Sequence, residues 1–304
     1  MNKAKHTNRL VDLYTAADFT KQAHHAYMAR RFNDEALYDF VHSVVTATRE
    51  IHPLIGLKKI FYLLAPDTIG RDRFIEIGIE QGLALPKPKR YQRTTFSSKS
   101  ALFQNLAAGI VINNINQVWV SDITYFNIKN RFYYISLIMD VYSRRILGYT
   151  ASDSLHAEAN CAALRMALDE RRNHDLSGLI HHSDKGTQYC SSAYLNILKE
   201  HNIAVSMCHS VYENSHIERD NGIIKNEYLN LRNISSFDAL THHLDKDVYH
   251  YNFLRPHWGI NCMTPVAYEQ LSTTLPVNQK TCFTLFKDLC LAEKIRFYQK
   301  QLFA

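Results

Sequence analysis

No stretch of this sequence reaches the eighteen or so uninterrupted apolar residues that a membrane-spanning helix needs, so a membrane partner is not expected. The first residues, Met1-Asn-Lys-Ala-Lys-His6, are polar, and no secretory signal is expected there. The six cysteines, at 161, 190, 208, 262, 282 and 290, form no Cys-x-x-Cys pair, which argues against a disulfide framework and a cysteine-based zinc site. There is no heptad seam, internal repeat or low-complexity tract. These absences lead to the expectation of a reduced, cytoplasmic protein.

What is present is ordinary globular composition, 46% hydrophobic and 21% charged over 304 residues, enough for two or three domains. The charge is uneven. The first 100 residues hold 16 basic and 10 acidic side chains, whereas the remaining 204 hold 19 of each, so the whole surplus of +6 lies in the first third. That asymmetry fits contact with a polyanion, and equally a solvated basic face.

Residues 1–84 read as helical. Leu37, Phe40, Val41, Val44 and Val45 give the stretch Asp34 to Ile51 one apolar face, and Tyr14 to Ala29 reads as an earlier helical pair. Gly56 to Ala65 and Arg71 to Gln81 form two short helices around the turn Asp67-Thr-Ile-Gly70. The second opens with Arg71 and Arg73, the pattern of a helix-turn-helix with a basic recognition helix, or of a plain helical bundle. Residues 85–116 read as a linker, with Lys87, Lys89, Arg90 and Arg93 placed to track a DNA backbone or simply to tether.

From Gln117 the texture is α/β. Three β-rich runs (118–126, 132–139, 145–151) precede alternating helices and short strands, ending in a long helix from about Ser215 to Leu231. This predicts a ribonuclease-H-like core over 117–232, a mixed five-stranded sheet flanked by helices, followed by a helical extension over 233–304. Within it, Asp122 interrupts an aromatic and β-branched strand; it either faces water at an edge or is paired or metal-bound. Asp184 ends a short strand before Gly186, as a ligand or as turn chemistry. Glu218 and Lys225 lie seven residues apart on one helix face. Together the three acids offer hard oxygen ligands for Mg²⁺, and two such ions suit phosphodiester chemistry.

Several ordered blocks carry a resemblance. Trp119-Val-Ser-Asp-Ile-Thr-Tyr125, Asp140-Val-Tyr-Ser-Arg-Arg-Ile-Leu-Gly148, His182-Ser-Asp-Lys-Gly-Thr-Gln-Tyr189 and Tyr212-Glu-Asn-Ser-His-Ile-Glu218 resemble the integrase core of OrfB-type transposases. These come from bacterial insertion sequences with two overlapping reading frames. Tyr251-Asn-Phe-Leu-Arg-Pro-His257 with Thr264-Pro265 resembles that family's C-terminal block. The resemblance implies a catalytic and metal-binding triad of Asp122, Asp184 and Glu218, and a DNA contact at Lys225. It implies Mg²⁺ or Mn²⁺ dependence and 3′-hydroxyl strand transfer. Terminal inverted repeats and target DNA would be the substrates, with a homo-oligomer on DNA, an upstream-frame partner or fusion, and a nucleoid-associated location.

The sequence departs from the family in three places. Asp184 and Glu218 enclose 33 residues, two fewer than the family interval, with the contraction at His209-Ser-Val-Tyr212. Arg219-Asp220-Asn221 stands where aromatics are usual, and Glu213 and Glu227 are fallback acids out of register. No His/Cys zinc knuckle precedes the core, unlike retroviral integrases. The rival expectations are a cutting-only nuclease of the same fold and a catalytically inactive DNA-binding regulator.

Overall fold

In the computed structural model the chain divides into two compact units, residues 1–87 and 88–304. The structure describes residues 14, 16, 20–86, 103–208 and 215–286, without the side chains of 27, 29–34, 215 and 216. Lys87, Lys89, Arg90, Arg93, Glu213 and the contracted stretch 209–212 therefore lie outside the described residues.

The first unit holds helices α1 (Lys21–Ile51), α2 (Leu57–Leu64) and α3 (Arg71–Glu80). Thr20 caps α1 by accepting from the Ala23 amide at 3.1 Å. The expected helical pair at 14–29 and separate helix from Asp34 are replaced by one continuous α1. Nothing between Lys21 and Ile51 breaks it, because the segment contains neither glycine nor proline. Helix α2 ends at Ala65 in the left-handed region, directly before Pro66, and α3 starts after Gly70. Val41 and Val45 of α1 share a buried cluster with Ile60, Phe74 and Ile77 of α2 and α3.

The second unit is built on five strands: β2 (Val118–Ile128), β3 (Arg131–Asp140), β4 (Ile146–Ser152), β5 (Ile180–Ser183) and β6 (Ala204–Met207). Their order is β4-β3-β2-β5-β6, antiparallel through β4-β3-β2 and parallel through β2-β5-β6. This is the mixed ribonuclease-H-like sheet read from the strand pattern. A separate two-stranded sheet pairs β1 (Val111–Ile112) with β7 (Phe283–Thr284). Part of the stretch read as linker thus packs on the second unit, with Ala107 and Ile112 fully buried in its core.

Period-two alternation gives the sheet two dry faces. Val118, Val120, Phe126 and Ile128 join Leu137 and Met139 beneath helices α6 (Ser215–Ile223) and α7 (Phe237–Phe253). Trp119 and Ile138 face the other way, toward α4 (Ala157–Glu170) and α5 (Ser192–Glu200). The expected long helix after Ser215 has its expected extent but not one geometry: α6 passes into a π-helical turn (Ile224–Tyr228) and a 3-10 turn (Leu229–Leu231). Asn252 ties α7 to the sheet, accepting from the Ile146 amide at 2.9 Å and donating to the Ile146 carbonyl at 2.8 Å. Helix α8 (Pro265–Thr274) begins at the Thr264 cap and brings Glu269 inward.

Helix α4 lies very close to β4. A Cβ at Gly148 would stand 2.0 Å from the Ala163 carbonyl oxygen, a backbone atom that cannot swing aside. Gly148→Ala is expected to destabilise the second unit by about 3 kcal/mol through overpacking, measured by urea unfolding. An unchanged midpoint would refute this account of the α4–β4 packing.

Candidate active site

Parallel pairing of β2 with β5 runs from Val118↔Ile180 to Ser121↔Ser183 and then stops. One step further along the same register stand Asp122 and Asp184. Both carboxylates follow the parity of Val120 and His182, so they project from one face of neighbouring strands, which lie about 4.8 Å apart. Asp122 sits mid-strand because β2 continues to Ile128, whereas Asp184 sits where β5 ends. The Gly186 amide donates to Asp184 Oδ1 at 3.0 Å and folds the following loop back on it. A Cβ on Gly186 would meet Asp184 Oδ1 and Gln188 Oε1 at 3.0 Å each, so the loop closes tightly only without a side chain there.

Helix α6 crosses above this pair. Asn221 Nδ2 donates to Asp122 Oδ2 at 2.7 Å, which fixes the carboxylate's rotation. Glu218 lies three residues earlier on α6, on the same side of the helix. Its charge is felt at Asp122. Burial first, then repulsion from Asp184 and more weakly from Glu218, pushes the Asp122 carboxyl up to about 7, against the Asn221 hydrogen bond. Burial also raises Asp184, opposed by the Gly186 amide. The site therefore concentrates more negative charge than it neutralises, and its donors are hard oxygens of the kind Mg²⁺ prefers.

Among the described residues, no group of three or more His, Cys, Asp or Glu is gathered closely enough to hold a metal ion. Mg²⁺ needs only one or two carboxylates, its other positions going to water and phosphate. The adjacent pair Asp122 and Asp184 meets that need, and Glu218 stands within electrostatic reach rather than in a closed cage.

With this geometry in place, the similarities to known proteins are informative. The integrase core domain family matches residues 113–211, and a second integrase core domain family matches residues 200–265. An uncharacterized 31 kDa protein of insertion element IS600 from Shigella sonnei is 30% identical over 248 residues, covering 79% of this chain and 89% of that one. The chain belongs to the insertion-sequence transposases with an integrase core.

The transposase for IS629 from Shigella sonnei is 34% identical over 181 residues, covering 58% of this chain and 60% of its own length. The transposase for IS3A from Escherichia coli is 37% identical over 105 residues, 34% of this chain and 36% of that one. Among solved structures, the HTLV-2 integrase catalytic core domain in complex with magnesium is 20% identical, covering 55% of this chain and 99% of that one, with a TM-score of 0.41. An integrase intasome of simian T-cell lymphotropic virus gives 17% identity, 73% coverage of each chain and a TM-score of 0.46. The fold assignment made above stands on the strand order of this transposase core itself.

The other residues singled out from sequence divide clearly. Lys225 lies in the π turn, with its Nζ 4.6 Å from the ring centroid of Tyr125, and burial lowers its pKa. Glu227, a fallback acid, is held by Arg255 through two bonds of 2.9 Å, so it is already neutralised. Asp140 is buried at the end of β3, accepting from the amides of Asn116, Tyr142 and Ser143, the sheet-and-turn role expected of it. In the His-Ser-Asp block, His182 Nδ1 lies 2.9 Å from Ser206 Oγ, and Tyr189 accepts from Ser121 Oγ at 2.8 Å. These two side chains shape the strand ends. Arg71 pairs with Asp72 and Arg73 with Glu76, both on the exposed start of α3.

Sequence reasoning missed Asn221, which it read as part of an unusually polar stretch. The available signal was its i,i+3 relation to Glu218 on a helix facing Asp122. It also missed Asp220, which is buried behind the helix. Burial pushes Asp220 up to about 6 against Arg144, Tyr251 and Arg255.

The raised Asp122 pKa has a definite sign. Stability from this carboxyl is fully present below its ordinary range near 4 and is lost as pH rises through about 7. In chelator, Asp122→Asn should raise Tm by about 4 °C at pH 8 and by little at pH 5. Equal shifts at both pH values in thermal melts would contradict the repulsion described here.

Proposed function

We propose that this transposase binds the ends of a mobile DNA element, cuts one strand at each end, and joins the freed 3′-hydroxyl to another phosphodiester. The observation that carries the reading is the placement of Asp122 beside Asp184 at the end of the β2–β5 pairing, with Glu218 above them on α6. Asp122 and Asp184, with Glu218, would hold divalent cations, Mg²⁺ or Mn²⁺, and two ions fit the demands of the reaction. When bound, such cations activate the attacking oxygen and stabilise the leaving one. The protein's own contribution is positional. Asn221 keeps the Asp122 carboxylate turned toward the site, and the Gly186 amide does the same for Asp184. Lys225 provides a cation for a nearby backbone phosphate.

Arg71 and Arg73, on the exposed start of α3, fit contact with the phosphates of the element's inverted repeats. Lys87, Lys89, Arg90 and Arg93 would add charge along the same DNA. Two ends brought together for joining imply a homo-oligomer on DNA, and an upstream-frame partner or fusion would supply further end binding. The reading assigns residues 1–84 to end recognition, 85–116 to the connection, 117–232 to catalysis and 233–304 to support of the core. It places the protein on the bacterial nucleoid.

The test uses duplexes copied from the DNA flanking the coding region, with Mg²⁺ or Mn²⁺. Asp122→Ala and Glu218→Gln should each lower cleavage and joining by about a thousandfold or more while the protein still retards the duplex in a gel. Wild-type-like cutting in either variant would remove that residue from the site. Cutting without joining of pre-cleaved ends would make the protein a nuclease, and binding without cutting at any metal concentration a regulator.

Arg71→Ala and Arg73→Ala should each weaken end binding and reduce the slope of log affinity against log salt by about one. Unchanged slopes in a salt titration would exclude these arginines as phosphate contacts.

A further inference from the structure

Past Ser121 the outer edge of β2 has no parallel partner, because β5 ends at Ser183. On this open stretch, three residues beyond Asp122, Tyr125 is 48% exposed. Phe132 on the neighbouring strand is 52% exposed, and the two rings meet edge to face with centroids 5.6 Å apart. They are diagonal neighbours, since Tyr125 pairs with Tyr134 and Phe132 with Asn127. Two large rings left half in water at one strand edge forgo the burial that aromatic side chains usually gain.

A cation stands at the same place. The Lys225 ammonium lies 4.6 Å from the Tyr125 centroid, and no ion pair involving it is found among the described residues. An aromatic surface with an adjoining cation is the combination by which proteins hold an unpaired nucleotide, stacking the base and pairing the phosphate. The distance suits such a ligand. Three residues of extended strand span about 10 Å, which corresponds to about three nucleotides at the 3.4 Å rise of a DNA strand.

We propose that Tyr125 and Phe132 form a stacking platform for an unpaired base within three nucleotides of the phosphodiester held at Asp122, with Lys225 on that nucleotide's phosphate. The proposal rests on the DNA-processing reading above and adds to it that the strand end is frayed when it is bound. Holding the end open keeps the phosphodiester beside Asp122 accessible from the side where Asp184 stands. A cross-strand aromatic pair that served only to stabilise the β2–β3 hairpin would lack any preference for unpaired DNA.

The experiment measures binding of the full-length protein to a fluorescein-labelled flank duplex ending in three unpaired thymidines, against the fully paired duplex of the same sequence. Stacking of one base predicts a preference for the frayed end of roughly tenfold in wild-type protein. Tyr125→Leu and Phe132→Leu should each bring the ratio of the two affinities close to one. Tyr125→Trp should preserve or raise the ratio, since a larger ring keeps the platform. Thermal melts confirm that each variant is folded, and because the readout is a ratio, a general loss of active protein does not imitate the effect. If wild-type protein binds both duplexes equally, or if the leucine variants keep the preference, the platform is overturned while the DNA reading stands. If it binds neither, both fall together.

Discussion

Four residue pairs of parallel sheet, Val118–Ser121 against Ile180–Ser183, set the positions of nearly every group at this site. Had the strands paired one residue out of step, Asp122 and Asp184 would project from opposite faces, because side chains alternate with period two. The pairing brings two carboxylates together at a spacing neither would choose in isolation. Burial adds to the repulsion, and one of them is pushed to about 7. Such an arrangement persists only because the rest of the sheet over-determines it. Trp119, Val120, Ile138 and Met139 are all buried around the pairing, and each would have to move for the acids to separate.

Further charge is buried behind the site, and it is handled differently. Glu269 on α8 is reached by Arg171 and Arg145 and accepts from Ser143 Oγ at 2.7 Å; Ser143 in turn contacts Asp140. Glu227 is matched by Arg255 with a two-bond fork. Desolvation offsets most of the attraction in such pairs, so their contribution to net stability is small, whereas removing one partner leaves a buried charge that is costly. Their effect is directional: they fix how α8, α7 and the π turn meet the sheet. The contrast with Asp122 and Asp184 is informative. Where the chain needs structure, acids have cationic partners; at the strand ends, the two adjacent acids have an amide each and no cation among the described residues.

Legibility in the sequence followed the strength of local periodicity. The strands of the core were readable because apolar residues alternate over long runs, and Asp122 stood out against that alternation. Asp184 was readable only through its block, since an Asp before Gly is ordinary turn chemistry. The two-residue strands Val111–Ile112 and Phe283–Thr284 gave no signal, because pairing that short depends wholly on tertiary contact. The start of α1 was misplaced because the polar pair Asn33-Asp34 resembles a helix beginning, although no breaker precedes it. Asp220 and Asn221 looked like a departure from pattern. In the structure one is buried behind the helix and the other grips Asp122, so polarity there is demanded by the neighbours.

The π turn is the feature that no pattern could have shown, and it alters the geometry of the site. On a regular helix, Glu218 and Lys225 would be nearly two turns apart and would point the same way. Instead the helix changes to i→i+5 bonding at Ile224, one residue before Lys225. Asn221, still in regular helix, reaches Asp122 on one face of β2; Lys225, within the π turn, reaches Tyr125, whose parity assigns it to the other face. One helix thus serves both sides of an open strand edge. The turn is held from outside, since Glu227 lies within it and is fastened by Arg255. The C-terminal block that carries Arg255 therefore acts on the site at a distance, by maintaining a helix geometry that local propensity alone would not select.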